Sequence, residues 1–415
     1  EGIVRVSGLP GTDQGLDGDI RARFELPGSN AISASFESLQ LQLPGIKVAG
    51  SGGGIQFDGS RVIAKIPRLE ADGRALGEFL KSHGPDPTIA RLLALNQPTV
   101  TANSVQLDWL IDESPIIVAE IEAFEIQAGR SIPHVGPVQG QIFVEGSRGW
   151  FDFEANSATF SLPEIFPRSW KRQALSGTLV FDRTGDGLLL KGHDLRVQDN
   201  EQDVRGALLL DLPRDAEQRM HLELTVNAST GALAGLLPHA LDSEVSDFLT
   251  RAVEEVDVDQ GRISYSGPLG AEVDRSRREL SMHFPMTAYR FKPLTTWPAF
   301  VGTEGAVDFV SKRARIEFVD SDFGGLSVSR VVATQDKDDG RRIHIDGQLS
   351  GEAPVALDIL DQAQVKPDSL GSEMLLNGSL RGDVSLSVPI GESPEGKVVI
   401  ESDDLVVTIS ELGEP

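Results

Sequence analysis

The sequence contains no cysteine, so disulfides and thiolate metal sites are excluded. Aromatic residues make up only 6% of the 415 residues, with four Trp and two Tyr. Basic residues are also scarce, because 38 Lys and Arg stand against 63 Asp and Glu, a formal charge of −25. That charge excludes a general nucleic-acid binder, which needs basic residues to displace counterions, and argues against broad docking onto an anionic bilayer.

Long apolar runs are missing as well. The most apolar stretch, residues 233–241, is interrupted by Pro238 and His239, whereas a membrane-spanning helix needs about 20 apolar residues. The first residues carry neither the basic nor the apolar segment of a signal peptide. We therefore expect this sequence to be a portion of a longer protein.

The dominant pattern that is present is period-2 alternation of apolar and polar residues. It runs through residues 151–155, 220–227, 313–318 and 384–388. Alternation of this kind is typical of strands with one buried and one wet face, as in antiparallel sheets. Short turn-rich segments separate these stretches, and Ser51–Gly54 is interpreted as a turn or bulge because it lacks the Lys and Ser/Thr of a phosphate-binding loop. The predicted fold class is mainly β: a long, curled, antiparallel sheet forming a groove, with a few short amphipathic helices.

Two stretches break the β pattern. Apolar residues recur at helical spacing from Leu241 to Val256 after Asp242, and Asp86-Pro87 begins a second helical stretch. If each strand with its turn takes about 16 residues, roughly 25 strands are expected. One face of this sheet is apolar along the whole chain, yet few helices and rings are available to cover it. The sheet therefore either folds over on itself or binds something apolar.

No motif for catalysis, metal or cofactor binding is found. The seven histidines are scattered and none has metal-ligand spacing. The Asp182–Gly187 stretch resembles a calcium loop only faintly and is predicted to be a hairpin turn. No G-x-S-x-G occurs. We expect no enzymatic activity, no catalytic residue, no metal and no cofactor.

Part of the sequence resembles the AsmA-like family of Gram-negative envelope proteins, closest to its YhdP-type branch. The main segment is LLPHALDSEVSDFLTRAVEEVDVDQGRISYSGPL, residues 236–269, with its Leu-Pro step, amphipathic helix and Gly-led strand ending in G-P-L. Further segments of similar character are Phe160–Phe166, Tyr289–Pro293 with Trp297-Pro298, Gly305–Phe309, Phe323–Leu326 and Ser379–Gly391.

This resemblance implies a bridge-like lipid carrier that contributes to outer-membrane biogenesis. Such proteins hold the acyl chains of phospholipids in an apolar β-groove and pass them across the periplasm between the inner and outer membranes. The implied partners are phospholipids and the two membranes, with no nucleic acid. The implied location is the periplasm of a Gram-negative bacterium, with an inner-membrane anchor on a segment absent from this chain.

The groove is predicted to be lined by the apolar members of the alternating strands. Replacing two or three of them, such as Leu222 and Phe318, with Asp or Arg is expected to block lipid passage and leave the fold largely intact. The same alternation is equally expected for an ordinary sandwich core. The predicted lining residues are Leu179, Phe181, Leu208, Leu210, Met220, Leu222, Leu224, Val226, Val307, Phe309, Ala314, Ile316, Phe318, Ile343 and Ile345.

Four stretches are expected along the chain. Residues 1–130 form the N-terminal part of the groove with a helical insertion near 75–95, and residues 131–230 form a central meander. Residues 231–258 form an amphipathic helix, and residues 259–415 form C-terminal groove repeats.

Two other functions remain open at this point. An elongated scaffold of the cell envelope could use the same strands to bind protein partners, and a dry, self-packed interior would favour it. A carbohydrate-active enzyme would need two carboxylates within about 10 Å and flanking aromatic rings, and this sequence offers few rings.

Overall fold

The fold is described from a computed structural model. It covers all residues except 1, 6–16, 29–30, 44, 75–97, 127–133, 163–164, 167–168, 185–186, 214–215, 238–242, 270–276, 294, 311–312, 337–341, 363–373, 390–394, 403, 405 and 410–415. The predicted helix at residues 86–95 lies outside the described residues. The chain divides into two compact units. Unit 1 comprises residues 1–199, 205–222 and 266–277, and unit 2 comprises residues 200–204, 223–265 and 278–415.

Alternating and β-branched sequences form the strands of unit 1. The first twelve strands are β1 (Gly2–Arg5), β2 (Asp17–Gly28), β3 (Ala31–Leu43), β4 (Ile46–Gly50), β5 (Gly53–Phe57), β6 (Arg61–Asp72), β7 (Thr99–Leu110), β8 (Ile116–Ile126), β9 (His134–Glu145), β10 (Arg148–Ser161), β11 (Ser169–Thr184) and β12 (Gly187–Gln198). Each pairs antiparallel with its chain neighbours, except that β4 and β5 lie end to end between β3 and β6. The predicted irregularity at Ser51–Gly54 is confirmed, because this break separates β4 from β5. The predicted hairpin at Asp182–Gly187 is also confirmed, because Thr184 pairs with Gly187.

Three strands contribute residues to both units, and the rest belong to unit 2. The shared strands are β13 (Gln202–Leu212), β14 (Arg219–Ser229) and β15 (Val253–Pro268). The strands of unit 2 are β16 (Glu279–Phe291), β17 (Phe300–Gly302), β18 (Glu304–Val310), β19 (Arg313–Phe323), β20 (Leu326–Asp336), β21 (Arg342–Glu352), β22 (Met374–Asn377), β23 (Ser379–Pro389), β24 (Glu395–Glu401) and β25 (Val406–Ile409). They also pair antiparallel, and β22 pairs with β25 in a separate two-stranded sheet. The predicted mainly β, antiparallel fold class with a few short helices is confirmed.

Three helices interrupt the strands in the described part of unit 2: α1 (Thr230–Leu236), α2 (Ser243–Ala252) and α3 (Ala353–Gln362). Helical spacing predicts a helix up to Val256, but strand β15 begins at Val253. The reason is that Val256 and Val258 alternate with acidic residues and are buried, which suits a strand with one wet face. No helix in the described residues is long and apolar enough to cross a bilayer.

Within each unit, the strands bend along a line of irregular positions. In unit 1 these positions run from β3 to β8 and continue on β11 and β12: Glu37, Ser51–Gly52, Pro67, Ser104, Glu122, Gly177 and Asp194. The paired row Ile121, Gly140, Phe153 and Gly177 connects them across β8 to β11. Ser104 and Asp194 adopt positive φ values of 51° and 52°. Extra residues in a strand bend it and increase its twist, so an aligned series folds the sheet; we call this line the crease.

Unit 2 has a crease of its own. Thr303 separates β17 from β18, Asp320 in β19 has a φ of 46°, and the pairing of β20 with β21 shifts at Ser329. These breaks lie on adjacent strands because Glu304 pairs with Val319 and Val319 pairs with Arg330. The curl that the sequence predicts is thus produced, within each unit, by bulges and not by turns.

Candidate functional site

One row of side chains crosses unit 1 from β2 to β12 without a polar residue. Directly paired residues of a sheet point to the same face, so the register of the paired strands defines this row. We call the face that carries it the inner face of unit 1. Its members are Phe24, Ala34, Ile55, Ala64, Leu107, Ile117, Val144, Gly149, Phe181 and Leu190.

The opposite, outer face carries mostly polar residues at the neighbouring register. On β5, β6 and β7 these are Gln56, Lys65 and Gln106, and Asp108 lies on the same face. Arg61 donates to both carboxylate oxygens of Asp108, with Nε 2.6 Å from Oδ1. These hydrogen bonds hold the pKa of Asp108 below its ordinary value, so the carboxylate stays charged. The outer face is therefore the more polar of the two, although Ile63 and Val118 on it are 40% and 43% exposed.

The inner face of unit 1 is closed at the crease and open toward the hairpin turns. Phe36, beside the crease, is 9% exposed, whereas Ile55 and Ile32 farther along are 43% and 49% exposed. We call the edge formed by the turns at residues 58–60, 111–115 and 146–147 the turn edge, and the inner face between crease and turn edge the trough. Apolar side chains on a folded sheet that stay this exposed leave an apolar surface in contact with solvent or a ligand.

Ring contacts show that the sheet of unit 1 folds toward its inner face. Phe124 and Phe151 lie two strands apart on different sides of the crease, yet their ring centroids are 5.5 Å apart in an edge-on contact. Near the turn edge, a Cβ on Gly149 would overlap the ring of Phe181, so this glycine makes room for the ring. The trough is thus packed beside the crease and at the Gly149–Phe181 contact, whereas Ile32 and Ile55 stay exposed.

Unit 2 also has one apolar and one polar face, but other side chains pack against its apolar face. We call this apolar face the inner face of unit 2. An apolar row crosses six strands, and the adjacent row on the other face is polar. The apolar row is Phe284, Val307, Ile316, Ala333, Ile345 and Leu386, and the polar row is His283, Asp308, Arg315, Thr334, His344 and Ser387. Among the latter, His283 Nδ1 lies 2.6 Å from Asp308 Oδ1, and Arg315 bonds Asp308 and Glu317.

The apolar face of unit 2 is covered by rings and by α2. Phe318 contacts the rings of Tyr289, Phe291 and Phe300 at centroid distances of 4.9 to 5.2 Å. Phe248 of α2 packs edge-on against Phe291 at 6.1 Å. The cavity left between helix and sheet measures about 70 Å³, which is far below the ~300–1,000 Å³ of a typical ligand pocket. This cavity has room for water-sized molecules and not for an acyl chain.

Tyr289 gives a titration test of this packing. Its hydroxyl lies 2.5 Å from Ser321 Oγ, and burial raises the pKa of Tyr289 above its ordinary value of 10.0. The unfolded chain releases this proton at the ordinary pKa, so the stability from neutral Tyr289 is lost as pH rises above about 10. The chain has only two tyrosines. In a Tyr265→Phe variant, we expect the 295 nm absorbance of tyrosinate to rise at a higher pH in the folded chain than in the urea-unfolded chain; a rise at the same pH would contradict the burial of Tyr289.

The structure places every predicted lining residue on a buried or half-buried position. Leu179 lies next to the all-apolar row of unit 1, paired with Phe151, and Phe181 is part of that row. The predicted residues of β18, β19 and β21 share the inner face of unit 2. Fully buried are Leu210, Met220, Leu222, Val226, Phe309 and Phe318. Half-buried are Leu179, Phe181, Leu208, Leu224, Val307, Ala314, Ile316, Ile343 and Ile345.

Sequence reasoning missed the most open part of the inner face. It proposed no lining residue before position 179, although the exposed members Phe24, Ile32 and Ile55 lie in β2, β3 and β5. It also missed Met282, Phe284 and Met286, which line the small cavity of unit 2. Their alternation in the sequence LSMHFPM was the available signal. In the described residues, no group of three or more His, Asp or Glu could hold a metal ion.

Comparison with known protein families bears on this architecture. A family model described as YhdP protein matches residues 57–407, more than half of the chain. The chain belongs to the YhdP family. This confirms the resemblance noted from residues 236–269 and extends it into the strands of unit 1 that carry the trough. No curated protein matches the sequence.

Proposed function

We propose that this YhdP-family chain holds the acyl chains of phospholipids on its inner face and serves as part of a bridge for lipid transfer between the inner and outer membranes of a bacterial envelope. The observation that carries the proposal is the all-apolar row across β2–β12, with exposed members at its open side. In the proposed arrangement the chain lies in the periplasm. It moves lipid without covalent chemistry, so it needs no catalytic residue.

The energetics of acyl chains suit such a surface. Burying one CH₂ is worth about 0.8 kcal/mol, so a 16-carbon tail that leaves water for the trough could recover on the order of 10 kcal/mol. Contact along a row needs no specific pocket, since the hydrophobic effect is non-directional and scales with buried area. A polar headgroup can remain in water at the turn edge. The same surface can therefore retain a lipid and let it slide along the row.

Site-specific photocrosslinking tests this proposal. A benzophenone side chain is placed at Ile55 on the inner face or at its neighbour Gln56 on the outer face, and the purified chain is irradiated with phospholipid vesicles. We expect a lipid adduct, detected by mass spectrometry of the intact protein, at position 55 and not at position 56. Both side chains are exposed and adjacent, so access to the probe is matched.

Two outcomes would contradict the proposal. Equal labelling at both positions would indicate contact with the vesicle surface and not occupation of the trough. Absence of adducts at both positions, together with no phospholipid in a solvent extract of the purified protein, would favour the scaffold function.

A further inference from the structure

The turn edge of unit 1 is acidic. The hairpin between β7 and β8 carries Asp112 and Glu113, and Glu145 ends β9. These three side chains belong to exposed residues. In the β5–β6 turn, the backbone N–H groups of Ser60 and Arg61 donate to Asp58, which lowers its pKa and keeps it charged.

Two basic side chains at this edge are engaged by carboxylates. Arg61 binds Asp108 through two hydrogen bonds on the outer face, and Arg148 Nε lies 3.6 Å from Asp182 Oδ1. A guanidinium held by a carboxylate attracts a phosphate less than a free one does, because the pair has no net charge. Arg183, beside Ser147, is a further exposed cation at this edge. The exposed acids outnumber it four to one, so the net field at the turn edge is negative.

These acids lie next to the exposed apolar residues of the trough. Trp109 belongs to the inner face through its pairing with Val62, and its indole N–H donates to the carbonyl oxygen of Glu113 at 3.2 Å. Trp109 and Ile111 are 38% and 45% exposed. Tryptophan side chains with one apolar and one polar end suit the boundary between acyl chain and headgroup. A lipid whose tail lies along the trough would thus present its headgroup to Asp112 and Glu113.

We infer that the trough prefers glycerophospholipids whose headgroup carries an ammonium group, as in phosphatidylethanolamine, to those whose headgroup is net anionic, as in phosphatidylglycerol. This inference rests on the proposed function and names the substrate class of the same site. The ammonium is attracted by the exposed carboxylates, whereas an uncompensated phosphate is repelled. Exposed charge pairs change affinity only modestly, so the expected preference is about two- to fivefold.

The experiment measures which lipid is captured. The purified chain is equilibrated with vesicles of equimolar phosphatidylethanolamine and phosphatidylglycerol at low salt and re-isolated, and the bound lipids are quantified by mass spectrometry. We expect the ratio of ethanolamine to glycerol lipid to exceed the input ratio by the factor above. In about 0.5 M salt, where the screening length falls to roughly 4 Å, the ratio should return to the input value.

Two charge-matched variants locate the effect. Asp112→Lys with Glu113→Lys should abolish or invert the preference, whereas Glu120→Lys with Glu154→Lys, the same change of charge on the outer face, should leave it intact. Bound lipid at the input ratio in the unmodified chain, or equal effects of the two variants, would overturn the inference alone. Absence of bound lipid in every sample would overturn the proposed function and the inference with it.

Discussion

Aspartate at Ile32 and Ile55 is expected to reduce phospholipid capture by more than tenfold while the chain remains folded. Both side chains belong to the trough and are 49% and 43% exposed, so the folded state loses little packing. The expected cost in stability is about 1 kcal/mol or less for each change. An acyl chain passing a carboxylate faces a larger penalty, since an Asp within hydrocarbon costs about 2.5–3.5 kcal/mol on an insertion scale.

The control for this variant lies on the same two strands. Ser35 and Gln56 are exposed on the outer face. Like Ile32 and Ile55, they lie on neighbouring strands and are offset by two residues from direct pairing. Ser35→Asp with Gln56→Asp adds the same charge and the same carboxylate spacing without touching the trough. Lipid bound per protein is measured by extraction and mass spectrometry, and folding by urea denaturation. If both double variants capture lipid equally, the inner face is not where lipid binds.

The sequence predicts the faces of the strands well because a period of two is a local property. The alternation at residues 313–318 assigns Ala314, Ile316 and Phe318 to one face, and the register of β18 to β20 confirms it. The estimate of about 25 strands also agrees with the strands found in the described residues.

Which residues cover a face of the sheet depends on tertiary folding, so the local sequence pattern does not predict it. The same alternation describes Ile55, which is half exposed, and Phe318, which is 2% exposed. The difference arises from the aromatic side chains of β16 and β17 and from α2, which reach Phe318 only through tertiary folding. The crease is hidden for a similar reason, since an extra residue such as Glu122 becomes a bulge only relative to the register of its partner strand.

The sequence of helix α3 contains features that predict a helix. Pro354 lies in its first turn, where proline is favoured, and Ala353, Ala356 and Ile359 recur at helical spacing. These three residues are the buried ones. Gly324 lies close to Ile359, because a Cβ on this glycine would be 3.3 Å from Ile359 Cδ1. The helix thus packs over the β19–β20 turn, a contact that joins residues far apart in the sequence.

The burial of Phe318 reverses an expectation drawn from the sequence. Leu222 and Phe318 are 3% and 2% exposed, so a charge at either position is expected to disrupt folding and not merely block lipid. Truncating a buried Phe to Ala typically costs about 3–5 kcal/mol, and an unpaired buried charge adds to that cost. We expect Phe318→Asp to lose at least about 4 kcal/mol, a large part of the ~5–15 kcal/mol that holds a typical protein folded.

Urea denaturation, monitored by near-ultraviolet circular dichroism, measures this loss of stability. The signal reports the packing of the aromatic rings around Phe318. Phe318→Leu, which keeps most of the volume, is expected to cost about 1.5 kcal/mol or less. Val310→Asp places the same charge at a residue of β18 that is 55% exposed, and it should leave the transition nearly unchanged. If Phe318→Asp unfolds like Val310→Asp, then the inner face of unit 2 is open to water. In that case α2 does not seal it, and the two units would offer lipid the same kind of surface.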